Sequence, residues 1–473
     1  MLNLAPPKNP NYCATVVELK HFVPLSGCDN VQAALIFGNQ VIVGKDAKPG
    51  DIGLYFPVET ALSGEFLAAN DLYCKPEYGN RNPEKKGFFE KHGRVKCVKF
   101  RGHRSEGFFI PLTALNMLAR YTKSPDEIEI SDIVFASVTG RYGLLAPGAE
   151  FDELAGHEIC RKYVPARNPG RLASNAAPRA KRADVILPGQ FAYHIDTAKL
   201  DRNIHKLQPS DIISITEKWH GTSAIFAHVL VERPLKWYER CLAALGIRIE
   251  KTCYDYVWAS RRVIKGVGGQ ARESVVHYYK SDIWGEVHKE VKDSIPKGYT
   301  LYGEIVGFTQ DGAAIQDGYH YGCNPSLANP LGKHRFLVYR VTYTNPEGVV
   351  LNLSWPQIRE FCAARGLETV KEVYYGYADD LLAAHRDPEY FPGSPEMWQQ
   401  DFLYNLKDNF VEDKMCPHNP GMPAEGVVLR IERGTEFEAY KCKSFAFLQL
   451  ESKQLDKGAV DLETVESEES SEL

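Results

Sequence analysis

The sequence predicts an α+β protein with more than one domain. Its 473 residues exceed what a single hydrophobic core usually serves, so we expect two or three domains. Short strand-like runs separated by glycine and proline dominate residues 1–120, whereas helical and strand-like periodicities mix from about residue 190 onward. These observations predict a small β-barrel followed by a larger α+β domain.

The barrel is predicted from four apolar runs, at residues 14–19, 40–43, 53–58 and 95–101. The last run alternates apolar and polar residues at period two, and turn residues separate the runs. A five-stranded OB-like barrel fits residues 1–120, and other small barrels fit this length too. An OB module would be a nucleic-acid-binding domain.

Residues 121–190 are predicted to connect the two domains and to contain an exposed basic linker. Such a linker is either a solvated connector or a contact for a phosphate backbone. Seven cations occur in it without an intervening acid: Arg161, Lys162, Arg167, Arg171, Arg179, Lys181 and Arg182.

The second domain is predicted to span residues 191–455. Apolar residues recur at helical spacing over 274–292, and Ser354 with Pro356 marks the start of a second helix. Strands are predicted between and after these helices, at 299–307, 336–343 and 426–432. The Glu- and Ser-rich residues 456–473 are predicted to form a disordered acidic tail.

The bulk composition limits the function classes. The net charge of −5 does not indicate nucleic-acid binding on average, although a basic groove can coexist with acidic surfaces. The 11 cysteines form no Cys-x-x-Cys pair, so we expect reduced thiols in a cytosol-like compartment. No signal peptide and no apolar run of membrane-spanning length are evident, which predicts a cytoplasmic or nucleocytoplasmic protein without a membrane partner. No protein partner is inferred.

The most informative motif is Glu217-Lys218-Trp219-His220-Gly221-Thr222. It lies between two apolar, β-branched runs, residues 211–216 and 223–229, that are typical of strands. A lysine followed by glycine at a strand-to-strand turn suits a site where a ligand approaches the backbone closely. A lysine amine is nucleophilic only when neutral, and nearby positive charge favours that form.

Lys441 and Lys443 could supply such charge. Strand alternation places both on one face and turns Cys442 away. Two ammonium groups on one face suit a polyanion such as a triphosphate and help to orient its leaving pyrophosphate. The alternative for an isolated Lys-x-Lys is an exposed strand face.

Two carboxylates, Glu304 and Glu425, occur in apolar strand-like surroundings. A carboxylate beside a buried strand needs a partner. A divalent cation or a ribose hydroxyl would serve, and oxygen ligands suit magnesium. A structural salt bridge with a nearby arginine is the alternative for each. The loop from Asp311 to Gly318 follows the Glu304 strand directly, so we expect it to border a substrate groove.

Together and in this order, the motifs resemble those of the covalent nucleotidyltransferases: Lys-x-Asp-Gly, a Gly-Glu strand, Glu-Gly and Lys-x-Lys. The match is closest to the RNA ligase 2 branch, which carries Glu-Lys-x-His-Gly-Thr and Lys-Cys-Lys. Segments 93–96 and 105–107 resemble the OB module of Deinococcus-type RNA ligases. The resemblance implies an adenylyltransferase domain of antiparallel sheets flanked by helices, with ATP and Mg²⁺ or Mn²⁺ as cofactors. It also implies substrates with 3′-OH and 5′-phosphate ends, of RNA or of RNA and DNA.

The resemblance also implies residue roles. Lys218 would attack the α-phosphate of ATP and form a lysyl-AMP, which then adenylylates the 5′ end. Glu217 and Trp219 would border the adenosine, His220 and Ser223 would lie near the phosphate, and Arg262 (or its competitor Arg261) would contact the nucleotide and the 5′-phosphate. Tyr339 would stack on adenine, Glu304 would hold the ribose or metal, Glu425 would bind metal, and Lys441 with Lys443 would neutralise phosphates.

Two departures from the superfamily pattern stand out: His220 replaces the usual Asp, and Arg340 stands where an Asp is common. The long gap before Glu304 predicts an insertion near 231–255, whose apolar content predicts a packed helix. Two other functions fit the motifs. One is a capping-type guanylyltransferase, and the other is a non-catalytic nick-binding protein on a ligase scaffold.

Overall fold

The architecture is that of a computed structural model. It describes residues 5–115, 145–154, 156–164, 185–195, 197–268, 270–271, 279, 281–326, 332–385 and 398–456. These residues divide into two compact units. The first comprises those within 1–165 and 448–458, and the second comprises those within 166–447. The domain limits predicted above, at 120, 190 and 455, are not the limits of this division.

The first unit is rich in short antiparallel strands, as predicted. Its strands form a four-stranded sheet in the order β10-β1-β5-β9, a three-stranded sheet β2-β3-β4 and three two-stranded pairs. Strand pairing does not join these sheets into one ring within the described part of the unit, so the OB assignment stays a prediction. The strands are β1 Ala14–Glu18, β2 Phe22–Val23, β3 Val31–Ile36, β4 Asn39–Gly44, β5 Ile52–Phe56, β6 Thr60–Leu62, β7 Cys97–Phe100, β8 His103–Glu106, β9 Phe108–Pro111, β10 Glu150–Phe151, β11 Glu153–Leu154, β12 His157–Glu158 and β13 Cys160–Lys162.

The first two cations of the predicted linker, Arg161 and Lys162, belong to a strand rather than to a linker. They lie in β13, which pairs with β6. The backbone groups of this segment are therefore used in a sheet, and the assignment of residues 161–162 to a connector was wrong. The remaining linker cations lie outside the described residues, as does the tail beyond 456.

The second unit contains two larger sheets. One has five strands in the order β14-β26-β25-β15-β24, and the other has eight strands, β19-β18-β17-β16-β20-β21-β22, with β23 beside β21. The strands are β14 Ala198–Lys199, β15 Ile212–Lys218, β16 Thr222–Glu232, β17 Thr252–Ala259, β18 Ile264–Val267, β19 Gln270–Ala271, β20 Tyr299–Gly307, β21 His334–Thr344, β22 Val350–Asn352, β23 Glu368–Thr369, β24 Glu372–Tyr377, β25 Gly426–Arg433 and β26 Glu436–Lys443.

The described helices are mostly short. Their bounds are α1 Gly64–Ala69, α2 Leu200–Asn203, α3 Trp237–Ala244, α4 Ile283–Val291, α5 Trp355–Ala363, α6 Ala378–His385, α7 Trp398–Leu406 and α8 Phe445–Asp456, and a π-helical turn, Lys407–Val411, follows α7. No helix in the described part of the chain is both long and apolar enough to cross a membrane. All 11 cysteines are free thiols, as expected.

One face of the five-stranded sheet forms a hydrophobic core with the helices. Ile213, Ile215, Leu429 and Cys442 point into this core, together with residues of α6 and α7. Because side chains alternate along a strand, Lys218 and its neighbours Ser214 and Thr216 point to the opposite face.

That opposite face packs toward the eight-stranded sheet. The guanidinium of Arg340 on β21 lies 4.5 Å from the ring centroid of Tyr302 and 5.3 Å from that of Phe437 on β26. Its Nε also donates to the Asn352 side chain at 3.0 Å. Arg340, which departs from the superfamily pattern, thus bridges the two sheets by cation–π contacts.

The α+β class of the second unit is confirmed, and so are the strands predicted at 299–307, 336–343 and 426–432. The helix after Ser354 is present with its capping box. The helix predicted over 274–292 is observed as α4, which begins at Ile283. Residues 272–278 and 280 lie outside the described part.

The insertion predicted near 231–255 does contain a helix, α3, but the helix is not packed. None of its residues is buried, and the side chain of Trp237 is 79% exposed. The prediction of a packed helix was therefore wrong. Apolar content identified an amphipathic helix, but no other part of the described chain covers its apolar side chains.

A buried histidine of the second unit makes its stability dependent on pH. His288 in α4 is 4% exposed and its ring stacks on Trp258 with a centroid distance of 4.7 Å. Burial, reinforced by Lys292, lowers the pKa of His288 to about 4. The folded state therefore keeps this ring neutral where the unfolded state, with a pKa near 6.5, takes up a proton.

We predict that the free energy of unfolding falls by about 1 kcal/mol through His288 between pH 7 and 5.5, because only the unfolded chain binds the proton there. Urea unfolding of the wild type and of His288→Phe, which keeps an aromatic ring, measures this effect. The variant should lose less stability over this interval. Parallel losses in the two proteins would contradict the assignment.

Candidate active site

The predicted nucleophile lies where the two sheets of the second unit meet. Lys218 is the last residue of β15 in the five-stranded sheet, and β16 of the eight-stranded sheet begins at Thr222. The intervening three residues therefore cross from one sheet to the other instead of closing a hairpin. A side chain at this crossing is accessible from the space between the sheets.

A buried carboxylate connects two of the three predicted lysines. The Glu425 Oε1 atom lies 2.7 Å from Lys218 Nζ and 3.6 Å from Lys443 Nζ. Glu425 is 2% exposed, whereas the two lysine side chains are 22% and 21% exposed. One buried negative charge thus lies between two partly exposed positive charges, and the cluster carries a net charge of +1.

Strand register explains why these residues meet. Lys218 pairs with Gly426 on β25, and Gly426 pairs with Lys443 on β26. Two strand spacings of about 4.8 Å therefore separate the backbones of the two lysines. Glu425 immediately precedes this row, so its side chain reaches both ammonium groups.

Gly426 is required at its position for steric reasons. Its φ of +142° is rarely adopted by residues with a side chain, and a Cβ there would lie 2.0 Å from the Cys442 carbonyl oxygen. A larger residue would push β25 away from β26 and move Glu425 relative to Lys443. The Glu-Gly motif therefore combines a buried carboxylate with the close approach of two strands.

Lys441 lies on the same strand as Lys443, two residues before it. It is partly buried and pairs with Val428, which in turn pairs with Thr216 on β15. Alternation places it on the same face as Lys443, whereas Cys442 packs into the hydrophobic core. The three lysines accordingly share one face of the sheet.

The turn after Lys218 is held by three hydrogen bonds from the neighbouring sheet and its loops. The His220 backbone N–H donates to the Tyr321 hydroxyl at 2.7 Å, and the Gly221 N–H donates to Glu304 Oε1 at 3.1 Å. The Gln316 side chain donates to the Gly221 carbonyl at 2.8 Å. The loop predicted to border the groove thus contacts the nucleophile turn itself through Gln316.

Trp219 is fixed by a stack. The Tyr321 ring lies parallel to it with a centroid distance of 4.3 Å, and the Arg335 guanidinium lies 5.2 Å from its ring centroid. Tyr321 has a φ of +49°, an uncommon conformation for a tyrosine that other contacts must maintain. Its backbone N–H donates to the Asn419 side chain at 3.0 Å. Burial, and next the nearby Glu425, raise the pKa of Tyr321 well above 10, so its hydroxyl stays protonated.

The His220 ring lies among aromatic side chains. It makes edge contacts with Tyr319 and Phe447 at centroid distances of 5.2 and 5.0 Å. Ser223, at the start of β16, donates its hydroxyl to Glu304 Oε2 at 3.4 Å. The structure thus brings His220, Ser223 and Glu304 to one turn next to Lys218.

The other predicted nucleotide contacts have partners outside the lysine cluster. The Glu217 carboxylate pairs with Lys371 at 2.8 Å, on the face of β15 opposite to Lys218. Tyr339 packs on the eight-stranded sheet, with its hydroxyl 3.4 Å from His194 Nδ1. Arg261 and Arg262 occupy the turn between β17 and β18, and Arg261 is the more buried of the two. Their nucleotide roles stay predictions.

A cleft of about 410 Å³ opens at the end of β15. Lys218, Trp219, Tyr321 and Glu425 line it, and Lys371 does so from β24's side. None of its described lining residues comes from β20 or β21. Lys218 therefore borders this cleft and also points to the face that carries Lys441 and Lys443.

Glu304 and Glu425 differ in the hydrogen bonds that their carboxylate oxygens already accept. Both oxygens of Glu304 accept hydrogen bonds, from Gly221 and Ser223. By contrast, the Glu425 Oε2 atom is buried and has no hydrogen-bond donor among the described residues. No group of three His, Cys, Asp or Glu residues with metal-binding geometry occurs in the described part. Glu425 therefore suits a hard cation that takes its remaining ligands from phosphates and water.

Tyr321 and Arg335 were not predicted from the sequence. The pair Tyr319 and Tyr321 around His320 is an aromatic cluster that could have drawn attention. The positive φ of Tyr321 has no local signal, because neither glycine nor asparagine marks it. Its role depends on contacts with residues about 100 positions away.

A comparison with protein families matches the part of the chain that contains this site. The model of the RNA ligase family matches residues 211–445, which include Lys218, Glu304, Glu425 and both motif lysines. Residues 211–445 of this chain belong to the RNA ligase family. The RNA ligase resemblance is thus confirmed at the family level, and the Deinococcus-type branch stays a prediction. No curated protein matches the chain.

Solved structures of a Naegleria gruberi RNA ligase are similar to this chain over most of its length. A mutant with ATP and Mn has 14% identity and a TM-score of 0.48, and the alignment covers 92% of this chain and 98% of that one. The same ligase with PPi has 13% identity and a TM-score of 0.47, with 93% and 98% covered.

We predict that Tyr321→Phe lowers the free energy of unfolding of the RNA ligase domain by about 1 kcal/mol, because the partly buried His220 N–H loses its acceptor. Hydrogen exchange should show faster exchange at the His220 amide. Tyr319→Phe is the matched control, since its hydroxyl donates to the Pro423 carbonyl at 2.7 Å and not to this turn. Unchanged protection at His220 in Tyr321→Phe would show that the Tyr321 hydroxyl does not hold this turn.

Proposed function

We propose that this chain is an ATP-dependent RNA ligase that joins 3′-OH and 5′-phosphate ends through a lysyl-AMP and an adenylylated 5′ end. The observation that carries the proposal is the Lys218–Glu425–Lys443 cluster, held by strand register at the end of β15. The match of the RNA ligase family model to residues 211–445, a range that contains the cluster, supports the proposal.

The first step forms a covalent bond at Lys218. The neutral amine attacks the α-phosphorus of ATP, a P–N bond forms, and the P–O bond to pyrophosphate breaks. The amine proton passes to solvent or to a nearby base. In the second step a 5′-phosphate oxygen displaces the lysine and takes the AMP, and in the third step a 3′-hydroxyl displaces AMP and forms the phosphodiester.

Positioning and charge neutralisation support each of these steps. The hydrogen bonds to His220 and Gly221 restrict the backbone next to Lys218. Lys441 and Lys443 offer positive charge on the face toward which Lys218 points. A Mg²⁺ or Mn²⁺ ion would bind at Glu425 and supply positive charge to the phosphates. Glu304 accepts hydrogen bonds from Gly221 and Ser223. It would orient the turn after Lys218 and offer the ribose an acceptor.

The Glu425 contact has a consequence for reactivity. A carboxylate at 2.7 Å favours the ammonium form of Lys218, which is not a nucleophile. The expectation that neighbouring cations alone crowd Lys218 was incomplete, since a carboxylate lies between the two lysines. The reactive state therefore requires Glu425 to exchange Lys218 for another cation.

We predict that the protein gains the mass of one AMP when incubated with ATP and a divalent cation. Lys218→Ala should abolish the adduct because Lys218 is the lysine at the end of β15 next to the crossing turn, and Lys371→Ala should retain it because Lys371 pairs with Glu217. Intact mass spectrometry measures the outcome. A parallel incubation with GTP tests the guanylyltransferase alternative, and a wild type without adduct across pH and metal conditions would contradict the proposal.

We also predict that Glu425→Gln raises the Mn²⁺ concentration needed for half-maximal adduct formation at least about tenfold, because a metal-binding carboxylate is lost. The amide keeps the shape and an acceptor oxygen, so the fold should persist. Glu372→Gln, which changes another carboxylate at the same cleft, is the control. An unchanged metal requirement in Glu425→Gln would show that Glu425 serves only as an ion-pair partner.

A further inference from the structure

The insertion between β16 and β17 is an ordered structure that exposes apolar side chains. Glu232, the last residue of β16, pairs with Thr252, the first residue of β17, and the Arg233 N–H donates to the Lys251 carbonyl at 2.9 Å. The Arg233 guanidinium binds both oxygens of Glu239, at 2.8 and 2.9 Å. This two-bond ion pair fixes α3 to the base of the insertion.

Five large apolar side chains of this element face solvent. Trp237 is 79% exposed and Leu245 is 78% exposed. Such a concentration on one short element is typical of an interaction surface. The remaining members are Tyr238, Leu242 and Ile247, at 43%, 36% and 50% exposure.

The charge of the insertion is opposite to that of the chain. Residues 233–251 contain five cations and two acids, a net charge of +3 in a protein whose net charge is −5. Lys236, Arg240 and Arg248 are all exposed. Exposed aromatic rings interspersed with cations match a nucleic-acid strand, since phosphates bind the cations and bases stack on the rings.

The position of the insertion gives a length scale. β16 runs from Thr222, four residues after Lys218, to Glu232. Ten strand steps of about 3.3 Å put the insertion roughly 33 Å from the nucleophile turn. At about 3.4 Å per phosphate along one strand, this distance corresponds to roughly ten nucleotides of a stacked strand.

We propose that residues 233–251 form an RNA-docking surface that holds the substrate about ten nucleotides from the ligation point. The proposal rests on the ligase activity proposed above. Trp237 and Tyr238 stack on bases, and Lys236, Arg240 and Arg248 contact phosphates. The aliphatic side chains of Leu242, Leu245 and Ile247 pack against the faces of riboses and bases.

The test compares sealing of RNA substrates with short flanks, under about eight nucleotides on each side of the break, and long flanks of about twenty. With long flanks, Trp237→Ala should raise the KM for RNA about fivefold or more, because one stacking contact is lost. Arg240→Ala with Arg248→Ala should flatten the slope of log KM against log salt by about 1.5. With short flanks, both variants should equal the wild type.

Two controls separate docking from folding and chemistry. Lys289→Ala with Lys297→Ala removes two exposed cations elsewhere in the same unit and should leave KM unchanged. Replacing residues 233–251 with Asn-Gly, which suits a tight hairpin between Glu232 and Thr252, should reproduce the loss without affecting AMP-adduct formation.

The outcomes also separate this inference from the proposed function. A wild type that forms no adduct and seals no RNA would overturn the proposed function. Sealing by the wild type with no length-dependent effect of the variants would overturn the docking surface alone. Binding of the wild type to anionic phospholipid vesicles, lost in Trp237→Ala while RNA kinetics stay unchanged, would identify the surface as a membrane contact and likewise overturn it.

Discussion

The candidate site depends on one buried carboxylate that lies between two lysines. Glu425 is removed from water, and a buried charge is tolerated only when it is paired. Lys218 and Lys443 provide the pairing, and the register of β15, β25 and β26 brings both to the same place. A one-residue shift of β15 or of β26 would turn its lysine to the opposite face and remove one of the two partners of Glu425.

The rest of the second unit holds this arrangement rigid. The five-stranded sheet is anchored on one face by the core with α6 and α7, and its other face meets the eight-stranded sheet through Arg340. The turn that crosses between the sheets is fixed by Tyr321, Glu304 and Gln316. In the proposed reaction, a nucleophile supported in this way would lose little conformational entropy when it meets its substrate.

The sequence predicted elements whose signals are local. The strands around Glu304 and Glu425 and the helix after Ser354 were recovered, because periodicity and capping residues lie within the elements themselves. It did not predict that Glu425 separates the lysines, since this follows from pairing between distant strands. Nor did it predict the exposure of α3: an apolar pattern specifies a face, but not whether another element covers that face. The role of Tyr321 was not predicted either, because its backbone conformation is imposed by tertiary contacts.

The ion pair at Lys218 also constrains the order of events. A triphosphate is an anion, so its arrival alone stabilises the ammonium form of Lys218 still further. The amine becomes nucleophilic only if positive charge in the site increases at the same time and Glu425 releases it. Because Glu425 Oε2 has no donor among the described residues, this carboxylate can accept a second cation without breaking an existing hydrogen bond. In the proposed reaction, the resting arrangement would thus keep Lys218 unreactive until nucleotide and cation are both bound, and would protect the amine from reacting without its substrate.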